Sequence, residues 1–86
     1  MAATILVVDD EKNIRRTLRM VLEGSGFSTL EAGSAEEALK QLATNEIDLV
    51  ILDVRLPTMS GIEALAKIRA KPETRHLPVL MVSGHA

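Results

Sequence analysis

At 86 residues the chain has room for one domain, and its 47% apolar and 26% charged residues are ordinary for a globular one. Ten basic residues against twelve acidic give a net charge of −2, which argues against a polyanion partner. The lack of cysteine excludes a disulfide framework and a thiolate metal site, and Phe27 as the single aromatic requires an aliphatic core.

The chain starts Met1-Ala2-Ala3-Thr4, without a basic stretch and a long apolar one behind it, so no signal peptide is expected. Ile5-Leu6-Val7-Val8 follows as an unbroken apolar run. Such a run does not alternate polar and apolar positions, and it suits a strand buried on both faces of a parallel sheet. It ends at Asp9-Asp10. Ile14, Leu18, Val21 and Leu22 then fall at helical spacing and predict an amphipathic helix that stops at Gly24 or Gly26. A weaker strand is expected over residues 27–32. Ser34-Ala35-Glu36-Glu37 has the form of a capping box, opening a second helix that buries Ala38, Leu39 and Leu42.

Leu49-Val50-Ile51-Leu52 is the second apolar run and closes on Asp53. Ser60-Gly61-Ile62-Glu63 is another capping box, and the third helix is expected to bury Ile62, Leu65 and Ile68 before Pro72 closes it. Val79-Leu80-Met81-Val82 is the last run and ends in Ser83-Gly84. The order β-α-β-α-β-α-β predicts an α/β parallel sheet with right-handed crossovers. No run reaches the roughly eighteen residues that a membrane helix needs. With no signal peptide or membrane helix expected, the expected setting is the cytoplasm. No basic stripe points to nucleic-acid contact.

In an open parallel sheet, sites form beyond the carboxyl ends of the strands. Asp9-Asp10, Asp53 and Ser83-Gly84 would all arrive at that edge. Three carboxylates gathered there repel one another, and a hard divalent cation is the natural compensation. Mg²⁺ fits the oxygen donors; Zn²⁺ does not, because cysteine is absent and His76 and His85 are not spaced as a ligand pair. A carboxylate beside such a cation can act as a nucleophile toward phosphorus. On spacing alone the plainer reading also stands, with each Asp a turn former or helix cap, Ser83 a turn hydroxyl and both histidines solvated.

Three segments, Ile5 to Glu11 (ILVVDDE), Leu49 to Gly61 (LVILDVRLPTMSG) and Leu77 to Gly84 (LPVLMVSG), resemble the receiver domain of bacterial two-component response regulators. The wording is nearest to receivers of nitrogen-regulation-type transcriptional activators. The resemblance implies a flavodoxin-like (CheY-like) sheet with strand order 2-1-3-4-5. It implies Asp53 as phosphoacceptor, Asp10 as the main Mg²⁺ ligand, Asp9 assisting, and the Arg55 backbone carbonyl completing the protein ligands. Ser83 takes the switch hydroxyl position and Gly84 keeps the approach open. Pro57 and Gly61 shape the loop after Asp53, and Arg55 and His85 sit where the family tunes dephosphorylation.

The resemblance also implies a sensor histidine kinase as phosphodonor, and a signalling module that assists only its own phosphorylation and dephosphorylation. A fifth strand with its lysine and switch aromatic, and two further helices, are not found in residues 1–86. Lys12, Lys40, Lys67 and Lys71 do not follow an apolar strand. The expectation is thus a receiver truncated after its fourth strand, with order 2-1-3-4, weak phosphorylation and an open fourth-strand edge that favours a homo-oligomer. Two other readings compete. A haloacid-dehalogenase-type phosphatase wants a second Asp where Arg55 stands. A phosphorylation-incompetent interaction or oligomerisation module would need none of the chemistry.

Overall fold

The computed structural model describes residues 2–83. Strands β1 (Thr4–Val8), β2 (Ser28–Ala32), β3 (Leu49–Asp53) and β4 (Val79–Val82) form one sheet in the order β2-β1-β3-β4, every pairing parallel. Helices α1 (Lys12–Gly24), α2 (Ala35–Thr44) and α3 (Gly61–Ala70) connect consecutive strands. This is the expected β-α-β-α-β-α-β order, and the sheet has the flavodoxin-like strand order 2-1-3-4.

The unbroken apolar runs are explained by cover on both faces of the sheet. Leu6, Val8, Val50 and Leu52 point to one side, where they form a core with Ala32, Ala35, Ala38 and Ala64. Ile5, Val7 and Ile51 point to the other, where Leu18 and Leu22 of α1 pack on them. Leu6 and Leu52 are fully buried, and each such side chain contributes about 1.5–3 kcal/mol by leaving water.

The α1–β2 turn shows why Gly26 stands where it does. Its φ is 95°, a left-handed conformation that a side chain disfavours. Its amide donates to the Glu23 carbonyl at 3.1 Å, and the Phe27 amide donates to the Leu22 carbonyl at 3.1 Å. This pair of bonds is the Schellman closure of a helix. The helices α2 and α3 start at serine caps, as expected: Ser34 Oγ accepts from the Glu37 amide at 3.1 Å and Ser60 Oγ from the Glu63 amide at 3.2 Å.

Two expected core positions are corrected. Ile62 is 64% exposed, because the buried side of α3 is set by Gly61, Ala64 and Ile68. Ile62 lies six positions before Ile68, which turns it about 120° away around the helix. Val21 is 63% exposed. Its helix rests chiefly on β1 and β2, and on this side of the sheet Leu18 and Leu22 pack against Ile5, Val7 and Ile51. Among the described residues no helix is long and apolar enough to cross a membrane.

Candidate functional site

Parallel register builds the site. Val8 of β1 lies opposite Leu52 of β3, so the next residue of each strand path, Asp9 and Asp53, emerges at the same sheet edge. Asp9 continues the β1–β2 ladder through its amide, which donates to the Ala32 carbonyl at 3.1 Å. Asp53 pairs in register with Val82, the last residue of β4, and Ser83 follows directly and is exposed. The structure thus brings the ends of β1, β3 and β4 together. Gly84 and His85 lie outside the described residues.

Asp9, Asp10 and Asp53 each offer a carboxylate oxygen within 4.8 Å of the others. Asp53 is 0% exposed and Asp9 2%, whereas Asp10 is exposed. Burying carboxylates this close together is costly unless a cation or donor compensates. Their donor set is entirely hard oxygen, with Asp10 on the solvent side, which suits Mg²⁺.

The turn-forming role and the acidic site turn out to coexist. Asp9 Oδ1 accepts from the Glu11 amide at 2.9 Å, and Asp53 Oδ1 accepts from the Arg55 amide at 3.1 Å. A carboxylate has two oxygens, so one can hold a turn while the group still contributes charge to the cluster. The contact that Arg55 makes with Asp53 runs through its amide.

The loop after Asp53 is held from two directions. The Gly61 amide donates to the Val54 carbonyl at 2.9 Å, bringing the start of α3 against the end of β3. A Cβ at Gly61 would collide with the Asp53 carbonyl oxygen. Glycine is therefore required there by close approach. Across the loop, the Thr58 hydroxyl donates to Glu36 Oε2 at 2.8 Å. That bond leads the influences that hold the Glu36 carboxyl below the ordinary glutamate range.

Behind Asp9 lies a charged network that the sequence reading did not single out. Arg15 Nη1 donates to the Asp9 carbonyl at 2.7 Å and its Nε to Glu31 Oε1 at 3.0 Å. Arg19 Nη1 donates to Glu31 Oε2 at 3.0 Å and its Nε to Glu23 Oε2 at 3.0 Å. The hydrogen bond from Arg19, then that from Arg15, hold the Glu31 carboxyl below its usual range against a partial desolvation. The spacing of Arg15, Arg19 and Glu23 on one helix face was a usable signal for a charged stripe. Its partner Glu31, on the outer strand, was not.

A family model described as response regulator receiver domain matches residues 5–86. The chemotaxis protein CheY-3 of Vibrio cholerae serotype O1 is 42% identical over 83 residues, covering 95% of this chain and 64% of that protein. The alkaline phosphatase synthesis transcriptional regulatory protein PhoP of Bacillus subtilis is 42% identical over 84 residues, covering 98% of this chain and 34% of that protein. The crystal structure of a response regulator receiver protein from Pseudomonas putida superposes with a TM-score of 0.93 at 33% identity. That match covers 100% of this chain and 71% of the other. The chain therefore spans under two thirds of CheY-3 and about a third of PhoP.

Proposed function

The chain belongs to the response regulator receiver family of two-component signalling, and from that membership we propose that residues 1–86 accept a phosphoryl group on Asp53 from a sensor histidine kinase in the cytoplasm. The observation that carries this reading is the buried Asp53 carboxylate at the end of β3, within 4.8 Å of the Asp9 and Asp10 carboxylates. Mg²⁺ would be held by Asp10 and Asp53, with Asp9 and the Arg55 backbone carbonyl assisting. When bound it supplies positive charge to the carboxylate cluster and to the oxygens of the transferring group.

The protein's own residues account for the rest. A carboxylate oxygen of Asp53 attacks phosphorus, the P–N bond to the donor histidine breaks, and that histidine nitrogen leaves with the electron pair and takes a proton. The product is an acyl phosphate on Asp53. The Arg55 amide fixes the rotation of the Asp53 carboxylate. In this reading Ser83, one residue past the strand partner of Asp53, would donate its hydroxyl to a phosphoryl oxygen. The role is that of a signalling module, with catalysis confined to its own phosphorylation and dephosphorylation. Calorimetric titration tests the site: Asp10→Ala and Asp53→Ala should each abolish most Mg²⁺ uptake, and parent-like uptake by both would refute it.

A second copy of this chain is a further proposed partner. Among the described residues β4 pairs only with β3, and its outer edge is uncharged, with Leu80 53% exposed. An apolar edge recruits another strand, and antiparallel pairing of two β4 edges would close a two-fold dimer of the 86-residue chain. Light scattering at micromolar concentration should give a dimer that Leu80→Lys dissociates. A monomeric parent, or a dimer indifferent to Leu80→Lys, would refute this seam.

A further inference from the structure

We infer that Arg15 is a positioning residue for the acidic site, setting the orientation of the peptide that joins Asp9 to Asp10. The inference rests on the Mg²⁺ reading above and adds a residue to it. The carbonyl that accepts from Arg15 Nη1 at 2.7 Å belongs to the same peptide unit as the Asp10 amide. Asp9 is already held at its amide by Ala32 and at its carboxylate by Glu11. Arg15 supplies the third restraint, on the peptide unit that leads into Asp10, the exposed member of the cluster.

Arg15 is itself braced. Its side chain is 17% exposed and shares the Glu31 carboxylate with Arg19, one oxygen each. A Cβ at Gly33 would come within 3.4 Å of Arg15 Nη1, so the β2–α2 turn lies close against the guanidinium. A planar fork with two acceptors in fixed places loses little freedom in holding both. Partners one step behind metal-binding groups govern affinity by such restraint.

Charge and position make opposite predictions here. Removing a cation from beside a cation site strengthens Mg²⁺ binding on Coulomb grounds alone. Removing a restraint weakens it. Calorimetric Mg²⁺ titration of the 86-residue chain should show Arg15→Gln losing about tenfold or more in affinity, with Arg19→Gln within about twofold of the parent. Arg15→Lys should recover part of the loss, since an ammonium can still reach one acceptor. In the absence of Mg²⁺, hydrogen exchange at the Glu11 amide should quicken in Arg15→Gln and not in Arg19→Gln.

Unchanged or tighter Mg²⁺ binding by Arg15→Gln would overturn the inference. Equal losses in Arg15→Gln and Arg19→Gln would also overturn it, because both then act only by tying α1 to β2. Should Arg15→Gln fail to fold, Glu31→Gln removes the brace and leaves the carbonyl contact; it should weaken binding by a smaller step, and parent affinity there overturns the inference. A parent that takes up no Mg²⁺ refutes the metal reading instead, and the Glu11 exchange still decides whether Arg15 orders this turn.

Discussion

The hydroxyl of Thr58 lies 2.8 Å from a carboxylate oxygen of Glu36, so the loop that follows Asp53 is fastened to the first turn of α2. Thr58 has φ 64°, and among the described residues no other non-glycine residue has a positive φ. A β-branched residue held there stores roughly 1–3 kcal/mol of backbone strain. Thr58→Val keeps the strain and deletes the hydroxyl's contacts with Glu36 and the Pro57 carbonyl, so its urea midpoint should fall below that of the parent. Thr58→Gly deletes both and should lie above the valine variant. A valine variant as stable as the parent would show that the hydroxyl's two contacts contribute nothing.

Gly61 makes a sharper case. Any Cβ there meets the Asp53 carbonyl oxygen, which is backbone and cannot swing aside. Gly61→Ala should cost about 1–3 kcal/mol in denaturant unfolding, as overpacking typically does. It should also weaken Mg²⁺ binding, because the strain is delivered to the residue that carries the buried carboxylate. Parent-like values in both measurements would mean that the start of α3 yields freely.

The charged network gives a pH dependence of fixed sign. Arg19 and then Arg15 hold the Glu31 carboxyl below its ordinary value by hydrogen bonding. A depressed folded pKa contributes stability that is present above the unfolded value, about 4.3 for glutamate, and lost as pH falls through the folded one. Glu31→Gln should thus be less stable than the parent at neutral pH, and the two should converge in acid below that range. A gap that stays constant from pH 7 to pH 3 would contradict the ion-pair account.

Ser60 caps the helix that Gly61 begins, and its oxygen accepts from the Glu63 amide. Ser60→Ala should cost about 1 kcal/mol, the usual loss for a capping serine. A circular-dichroism melt that superimposes on the parent would remove the cap from the account.

Much of this architecture was legible because burial on both faces leaves a plain mark. Ile5 to Val8 and Leu49 to Leu52 had to be apolar at every position, and the polar residue that ends each run had to lie at the sheet edge. The acidic site followed from those two facts and parallel pairing. The exposure of Ile62 and Val21 was not legible, since helical spacing defines a stripe without saying how far its cover extends. Arg15 and Glu36 were missed for another reason. Each acts on a group with no sequence signature of its own: a main-chain carbonyl at Asp9, and a hydroxyl at Thr58 that is 22 positions from its partner. Such contacts exist only once the chain has folded.

The claim that Asp53 is the phosphoacceptor meets its most direct test in mass spectrometry after incubation with a small phosphodonor and Mg²⁺. The account predicts a phosphoryl adduct that depends on Mg²⁺, maps to Asp53 and is absent from Asp53→Asn. An adduct that persists in Asp53→Asn, or none at all in protein shown to bind Mg²⁺, would contradict it.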